Sequence, residues 1–229
     1  MTTVTISRDF GSEGDNLARK ISDILGYHFV DKETIEDLLN NYGFVEFGRE
    51  YESILGFWAK FDAQRGRRRD LMVEMLDKVI QAIAIHGNSV IVGRSGFTVL
   101  AGFADVFHIR LQSPFESRVR RLMEIENLTK LEAETICEDG DKVRSEFVQD
   151  FYGVSWENAR AFDLVINMDK VAADLALDII VDSVRALEIS PTEGKITTRS
   201  LMVDTVLAGA VSDMLQCSLN HTKEAVFQT

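Results

Sequence analysis

Apolar and small polar residues alternate over residues 4–7 as a half-buried strand does, and the chain then turns at Gly11 and Gly14. Beyond the turn Leu17, Ile21, Ile24 and Leu25 recur at helical spacing, and Gly26 is placed to end that helix. A short strand follows at 27–30, and Asp31 and Lys32 open a helix that runs to about residue 39 and stops at Asn40, Asn41 and Gly43. Residues 43–64 mix aromatic and polar positions and read as a helical insertion, followed by a long amphipathic helix over 70–85. Residues 89–92 form a continuous apolar strand closed by Gly93-Arg94-Ser95-Gly96, and 106–111 another strand. Ser113, Pro114 and Glu116 have the order of an N-cap, a first-turn proline and an N3 glutamate, and Thr129 with Glu132 forms a second capping box. A fifth strand over 162–167 and a closing helix over 171–187 complete the body.

Strands alternating with helices over residues 4–187 predict an α/β fold, a mostly parallel sheet covered on both faces. After a break at Pro191 to Gly194, residues 201–215 form one more apolar helix, expected to pack on the body or on a second subunit. Two units are therefore expected, 1–188 and a helical extension at 189–229.

Composition narrows the function classes. A chain of 229 residues, 45% hydrophobic, can bury a substantial core. A net charge of −12 argues against nucleic acid or an anionic membrane as a general partner. No signal-like segment or apolar run of about 20 residues is evident, so a cytoplasmic location is expected. Cys137 and Cys217 lie too far apart in sequence to suggest a disulfide framework. The four histidines show no metal-ligand spacing.

The chemistry concentrates in a few places. The strand–glycine loop–helix order at 4–20 is how α/β proteins cradle phosphates, because loop N–H groups and the helix N-terminus both face the anion. If Gly14 is the last glycine of a phosphate loop, the first-glycine position holds Asp9, the lysine position Asp15 and the hydroxyl position Asn16. Arginines cluster at Arg65, Arg67, Arg68 and Arg69, at Arg94, and at Arg118, Arg120 and Arg121 with Arg144. Guanidinium groups pair with phosphate oxygens, so arginines converging from several segments suit phosphoryl transfer. Arg94 follows a buried strand at the end of the sheet where open α/β sheets hold ligands. Asp141 and Arg144, three apart on a helix, can share a face as an ordinary ion pair.

The loop at 4–20, the Phe29–Glu33 segment, Val92-Gly-Arg-Ser-Gly96 with Ala104-Asp105, the arginine-rich helix after Ser113, and Asp141-Lys-Val-Arg144 fall in the order seen in cytidylate kinases. The chain resembles the divergent cytidylate kinase-like group over about residues 3–187. That resemblance implies a P-loop nucleoside monophosphate kinase fold: a five-stranded parallel sheet flanked by helices, a monophosphate-binding insertion at 43–88 and a lid at 113–160. It implies transfer of the γ-phosphoryl of Mg2+-bound ATP to a nucleoside monophosphate, CMP or dCMP first, by positioning and charge stabilisation without a protein nucleophile. Arg8, Gly11, Ser12, Gly14, Asp15, Asn16 and Arg118 would then hold donor phosphates. Asp31, Lys32, Arg67, Arg94, Ser95, Asp141 and Arg144 would hold the acceptor, with Arg94, Arg121, Asp141 and Arg144 serving catalysis. Nucleotides would be the partners, and the apolar tail helix is compatible with a homodimer without requiring one.

Three departures accompany the resemblance. Ser95 stands where cytidylate kinases carry the aspartate that reads the cytosine amino group, and Cys137 where a lid arginine precedes the aspartate by four. The loop itself carries Asp9, Glu13 and Asp15 against Arg8. One like-charge contact at ~4 Å costs on the order of 4 kcal/mol at an effective dielectric near 20. The acidic loop therefore supports a second reading, a kinase-derived protein that binds a nucleotide or phosphate ligand with little or no catalysis.

Overall fold

The computed structural model describes residues 1–41 and 63–226, with side chains over 1–40 and 70–216. The first part of the expected insertion, residues 43–62, lies outside the described residues.

Val4 and Ile6 of β1 (Thr3–Arg8) point to one face of the sheet, and Thr3, Thr5 and Ser7 to the other, the two-residue period of a pleated strand. β1 is central. It pairs in parallel with β3 (Ser89–Val92) and β4 (Val106–Gln112), Ile6 lying opposite Val92 and Ile109. β2 (His28–Val30) and β5 (Leu164–Asn167) form the edges, giving the order β2-β3-β1-β4-β5 with every pair parallel. A parallel sheet needs cover on both faces, and the helices supply it.

On one face, α1 (Gly14–Leu25) and α7 (Ala173–Glu188) bury Leu17, Ile21, Ala176, Ile180 and Val184 against Val4, Ile6, Val90 and Ile109. On the other, α2 (Lys32–Asn41) and α3 (Ala63–His86) bury Ile35, Leu38, Leu76, Ile80 and Ile83 around Ile91. The second half of the expected insertion is thus a core helix of the body. α4 (Gly96–Val99) is a single turn after β3, where glycine at position 96 lets it approach β1: a Cβ there would lie 3.3 Å from the Thr5 methyl. α5 (Phe115–Glu126) and α6 (Lys130–Tyr152) cross the top of the sheet and enclose Val119, Leu122, Ala133 and Cys137. Cys137 faces this small core.

The local stop and start signals are partly as expected. Gly26 ends α1 in the left-handed conformation, and Thr129 and Glu132 form a complete capping box. The start of α5 differs. Pro114 occupies the N-cap position and the Ser113 hydroxyl has no partner among the described residues; the Ser113 N–H is bonded by Asp9 and its carbonyl by Arg118 of α5 itself.

The extension is part of the body. Ala104 N–H donates to the Ile196 carbonyl, and the Asp105 carboxylate accepts from the N–H and hydroxyl of Thr198 at 2.8 and 2.7 Å. α8 (Thr205–Val226) then lays Leu207, Val211 and Leu215 into the same core as α2 and α3. Among the described residues no helix is long and apolar enough to cross a membrane.

His28, at the edge of the sheet, meets His86 edge-on at 4.9 Å and hydrogen-bonds the Leu215 backbone. Burial, aided by His86, pushes His28 below its ordinary value of 6.5, and burial does the same to His108. The folded state then binds fewer protons than the unfolded state, so stability present above pH 6.5 is lost as the pH falls from there towards the lowered folded values. Thermal melts at pH 7.5 and 5.5 should show a lower Tm in acid, and His28→Gln should shrink that drop.

Candidate active site

β1 ends at Arg8 and the chain turns through Asp9-Phe10-Gly11-Ser12-Glu13 into α1. The turn is possible because Gly11 (φ 77°) takes a left-handed conformation, as does Glu13 (φ 63°), which caps α1 without a side-chain bond. Leu17 makes the first intrahelical bond, to the Glu13 carbonyl. The N–H groups of Gly14, Asp15 and Asn16 therefore open the helix with no intrahelical acceptor, and the helix dipole adds positive potential there.

The three carboxylates of this loop do not face one another. Asp9 is buried beneath it, 2.5 Å from Arg110 Nη2 and 4.0 Å from Arg118 Nε, and accepts the Ser113 N–H at 3.0 Å. Burial raises the Asp9 carboxyl above its ordinary value and lowers Arg110, with each partner's charge opposing the shift. Glu13 lies 3.5 Å from Arg121 Nε, and Asp15 takes a paired contact from Arg8 at 2.7 and 3.3 Å. The predicted like-charge repulsion is thus met by a separate guanidinium for each acid.

Several expected ligand residues have other tasks. The Ser12 hydroxyl is buried and donates to the Asp9 carbonyl, closing the loop on itself. Arg118 is buried and donates to the carbonyls of Ser113 and Phe10 and to Asp141 at 2.7 Å, so its donors fasten the loop to α5 and α6. Asp141 also accepts the Phe10 N–H at 3.0 Å; it pins α6 to the loop and lies outside the cleft that holds Arg94. Arg121 donates to the Gly11 carbonyl at 2.6 Å. Asp31 caps α2 through the N–H and hydroxyl of Thr34 and faces Arg19 at 3.8 Å. Arg67 lies in the first turns of α3, where side chains are not described.

Others do converge. A cleft of about 380 Å³ opens at the carboxyl ends of β1 and β3, the switch point of the sheet. Arg8, Lys32, Arg94, Ser95 and Arg144 line it. Arg94 and Ser95 both have positive φ (52° and 58°), an uncommon conformation for residues with a Cβ. Arg94 is buried and bonds Glu36 at 2.6 Å; Lys32 approaches the same carboxylate at 4.0 Å. The buried Ser95 hydroxyl has no partner among the described residues. Arg144 donates to the Gly140 carbonyl at 2.7 Å and lies over the Phe10 ring. Glycine at 140 permits this, since a Cβ there would sit 2.9 Å from Phe10.

Glu36, Arg110 and Trp156, which brace or wall the cleft, are positions that pattern reading missed. Trp156 donates its indole N–H to Ser7 at 2.7 Å, stacks on Arg110 at 3.7 Å and walls the cleft. An arginine inside the apolar run of β4 was the available signal.

Among the described residues no cluster of three or more His, Cys, Asp or Glu could hold a metal ion. Near the loop, the side-chain donors from Glu13, Asp15 and Asn16 are all oxygens, which suits magnesium carried with a polyphosphate.

A cytidylate kinase-like family model matches residues 3–170. The chain belongs to the cytidylate kinase-like family. It is 30% identical over 107 residues to a cytidylate kinase of Staphylothermus marinus, a match over 46% of this chain and 59% of that protein. A cytidylate kinase of Ignicoccus hospitalis is 25% identical over 181 residues, 79% of this chain and 97% of that one. The chain spans 19% and 59% of the length of the first curated relatives it matches. The crystal structure of an uncharacterized protein from Eubacterium ventriosum shares the fold, with a TM-score of 0.59 at 19% identity, covering 81% of this chain and 99% of that one. For this family member the fold follows.

Within that scaffold, Asp9 makes a sharp prediction. Removing one partner of a buried ion pair leaves the other charge uncompensated, so Asp9→Ala should cost about 3–5 kcal/mol in urea unfolding.

Proposed function

We propose that the chain transfers the γ-phosphoryl group of ATP to a nucleoside monophosphate, with CMP or dCMP the first candidates. The observation that carries this reading is a cleft lined by cations from β1, α2, the β3 turn and α6, one of which, Arg8, reaches from the cleft to Gly14 and Asp15 in the first turn of α1. A protein of net charge −12 that gathers Arg8, Lys32, Arg94 and Arg144 in one concavity focuses positive potential there, as an anionic substrate requires.

On this reading the donor phosphates lie at Gly11, Gly14 and Asn16. Their base takes a crevice of about 460 Å³ between α1 and the segment after β5, lined by Leu17, Met168 and Ala173. The acceptor phosphate meets Lys32, Arg94 and Arg144, and its base packs beside Phe97 with the Ser95 hydroxyl within the same cleft. Magnesium bound with ATP would neutralise charge on the β and γ phosphates, and Asn16, at the hydroxyl position of the loop, would be its side-chain ligand. The protein itself excludes water with Phe10 and α6 and aligns the two phosphates. The family supports a nucleotide acceptor, whereas Ser95 in place of a carboxylate leaves the base preference to the acceptor test.

A second reading, a ligand-binding protein with little catalysis, is favoured by Asp15, which is 63% exposed where a phosphate-loop lysine would stand. Calorimetric titration with Mg-ATP and ADP release on CMP, dCMP, UMP, AMP and small phosphorylated metabolites separate the two. Turnover on at least one nucleotide is expected, and none on any would sink the kinase reading. Arg144→Ala should raise the acceptor KM roughly 10- to 100-fold, the loss of a charged hydrogen bond, with the ATP KM little changed.

A further inference from the structure

The lysine position of the loop holds a carboxylate, yet a cation stands in front of the helix. It comes from the strand. Arg8, the last residue of β1, runs its stem across the loop, and glycines make the path: a Cβ on Gly14 would lie 2.8 Å from Arg8 Cβ and Cγ. At the far side a Cβ on Gly93 would lie 2.5 Å from Arg8 Nη1. The guanidinium thus sits between the first turn of α1 and the Gly93–Ser95 turn, on the wall of the cleft, between the proposed donor and acceptor phosphates. Its other edge is held by both oxygens of Asp15, the residue at the lysine position.

The two partners are unequally placed. Arg8 is 16% exposed and fixed by close glycine contacts, while Asp15 is 63% exposed on the helix surface. Ion pairs with so exposed a partner are weak, and a polyphosphate offers the same fork more charge and more acceptor oxygens. We infer that Arg8 replaces the absent lysine as the cation that binds the donor polyphosphate and bridges it to the acceptor during transfer. Asp15 is its positioning residue, holding the guanidinium at the mouth of the cleft until phosphate displaces the carboxylate. This deepens the kinase reading and rests on it. In the step concerned, an oxygen of the acceptor phosphate forms a bond to the γ-phosphorus of ATP as the bond from that phosphorus to the β,γ-bridging oxygen breaks. The electron pair of the broken bond leaves on ADP. The acceptor dianion needs no proton removed, and Arg8 bears on the charge shared between the incoming and departing oxygens.

The test pairs a binding readout with turnover. Inorganic tripolyphosphate and Mg-ATP are titrated calorimetrically into the full chain, alongside ADP release with whichever acceptor is turned over. Arg8→Ala should weaken tripolyphosphate binding by about tenfold or more and lower kcat by roughly 100-fold or more, as loss of a transition-state arginine does. Asp15→Asn, a change at an exposed position, should tighten tripolyphosphate up to about fivefold by freeing the guanidinium. Adding Asp15→Lys to Arg8→Ala should recover most of the lost affinity, because the cation is then supplied from the helix. Tripolyphosphate affinity unchanged by Arg8→Ala, affinity unchanged or weakened by Asp15→Asn, or no recovery in the double variant would each overturn the assignment. A wild type that binds tripolyphosphate through Arg8 but turns over no acceptor removes the kinase reading and the bridging step, and keeps Arg8 as the phosphate-binding cation. One that turns over an acceptor with Arg8→Ala unimpaired removes Arg8 and keeps the kinase.

Discussion

A single buried carboxylate sets the geometry of the site. Asp9 stands at the point where the central strand gives way to the glycine loop, and burial there is tolerable only with partners. Those partners come from three places: Arg110 from the middle of β4, Arg118 from the body of α5, and the Ser113 N–H from the segment between them. Each is in turn held elsewhere, Arg110 by the Trp156 ring and Arg118 by Asp141 on α6. Loop, strand and the α5–α6 pair are therefore joined through one charge.

The same pairing logic resolves the acidity of the loop. Read as a string, Asp9, Glu13 and Asp15 beside one arginine look hostile to phosphate. In space each carboxylate faces a guanidinium from a different element. Arg110 in particular lies a hundred residues away and inside an apolar strand, so nothing local announces that it serves Asp9. Summing charge along a segment assumes that sequence neighbours are spatial neighbours, and turns with positive φ at Gly11 and Glu13 break that assumption.

Much of the fold was legible because it rests on short-range physics. Strand alternation at Val4 and Ile6, the helical spacing of Leu17 and Ile21, the Gly26 stop and the Thr129–Glu132 box are all set by residues within a turn or two of each other. The cleft residues Lys32, Arg94, Ser95 and Arg144 were legible for a related reason, since each sits at an element end beside a recognisable turn or on a periodic helix. What was not legible depended on direction. Arg118 and Arg121 share a helix with Arg120, and spacing does not say which of them reaches into the loop and which faces solvent. Asp31 read as a pocket residue and is a helix cap, and Ser12 turned inward. Glu36, which meets both Lys32 and Arg94, was hidden as an ordinary helix acid.

The last segment of the chain has a consequence for what counts as the folding unit. The family match ends at residue 170, yet α7 seals one face of the sheet and α8 shares the core of the other with α2 and α3. Thr198 is fastened to Asp105 at the base of β4, so the tail is strapped to the body before α8 begins. α2 also carries Lys32 and Glu36. A homologue lacking this belt would have to brace the cleft wall that carries Lys32 by some other means, and the site in this chain is built partly by residues outside the stretch that defines its family.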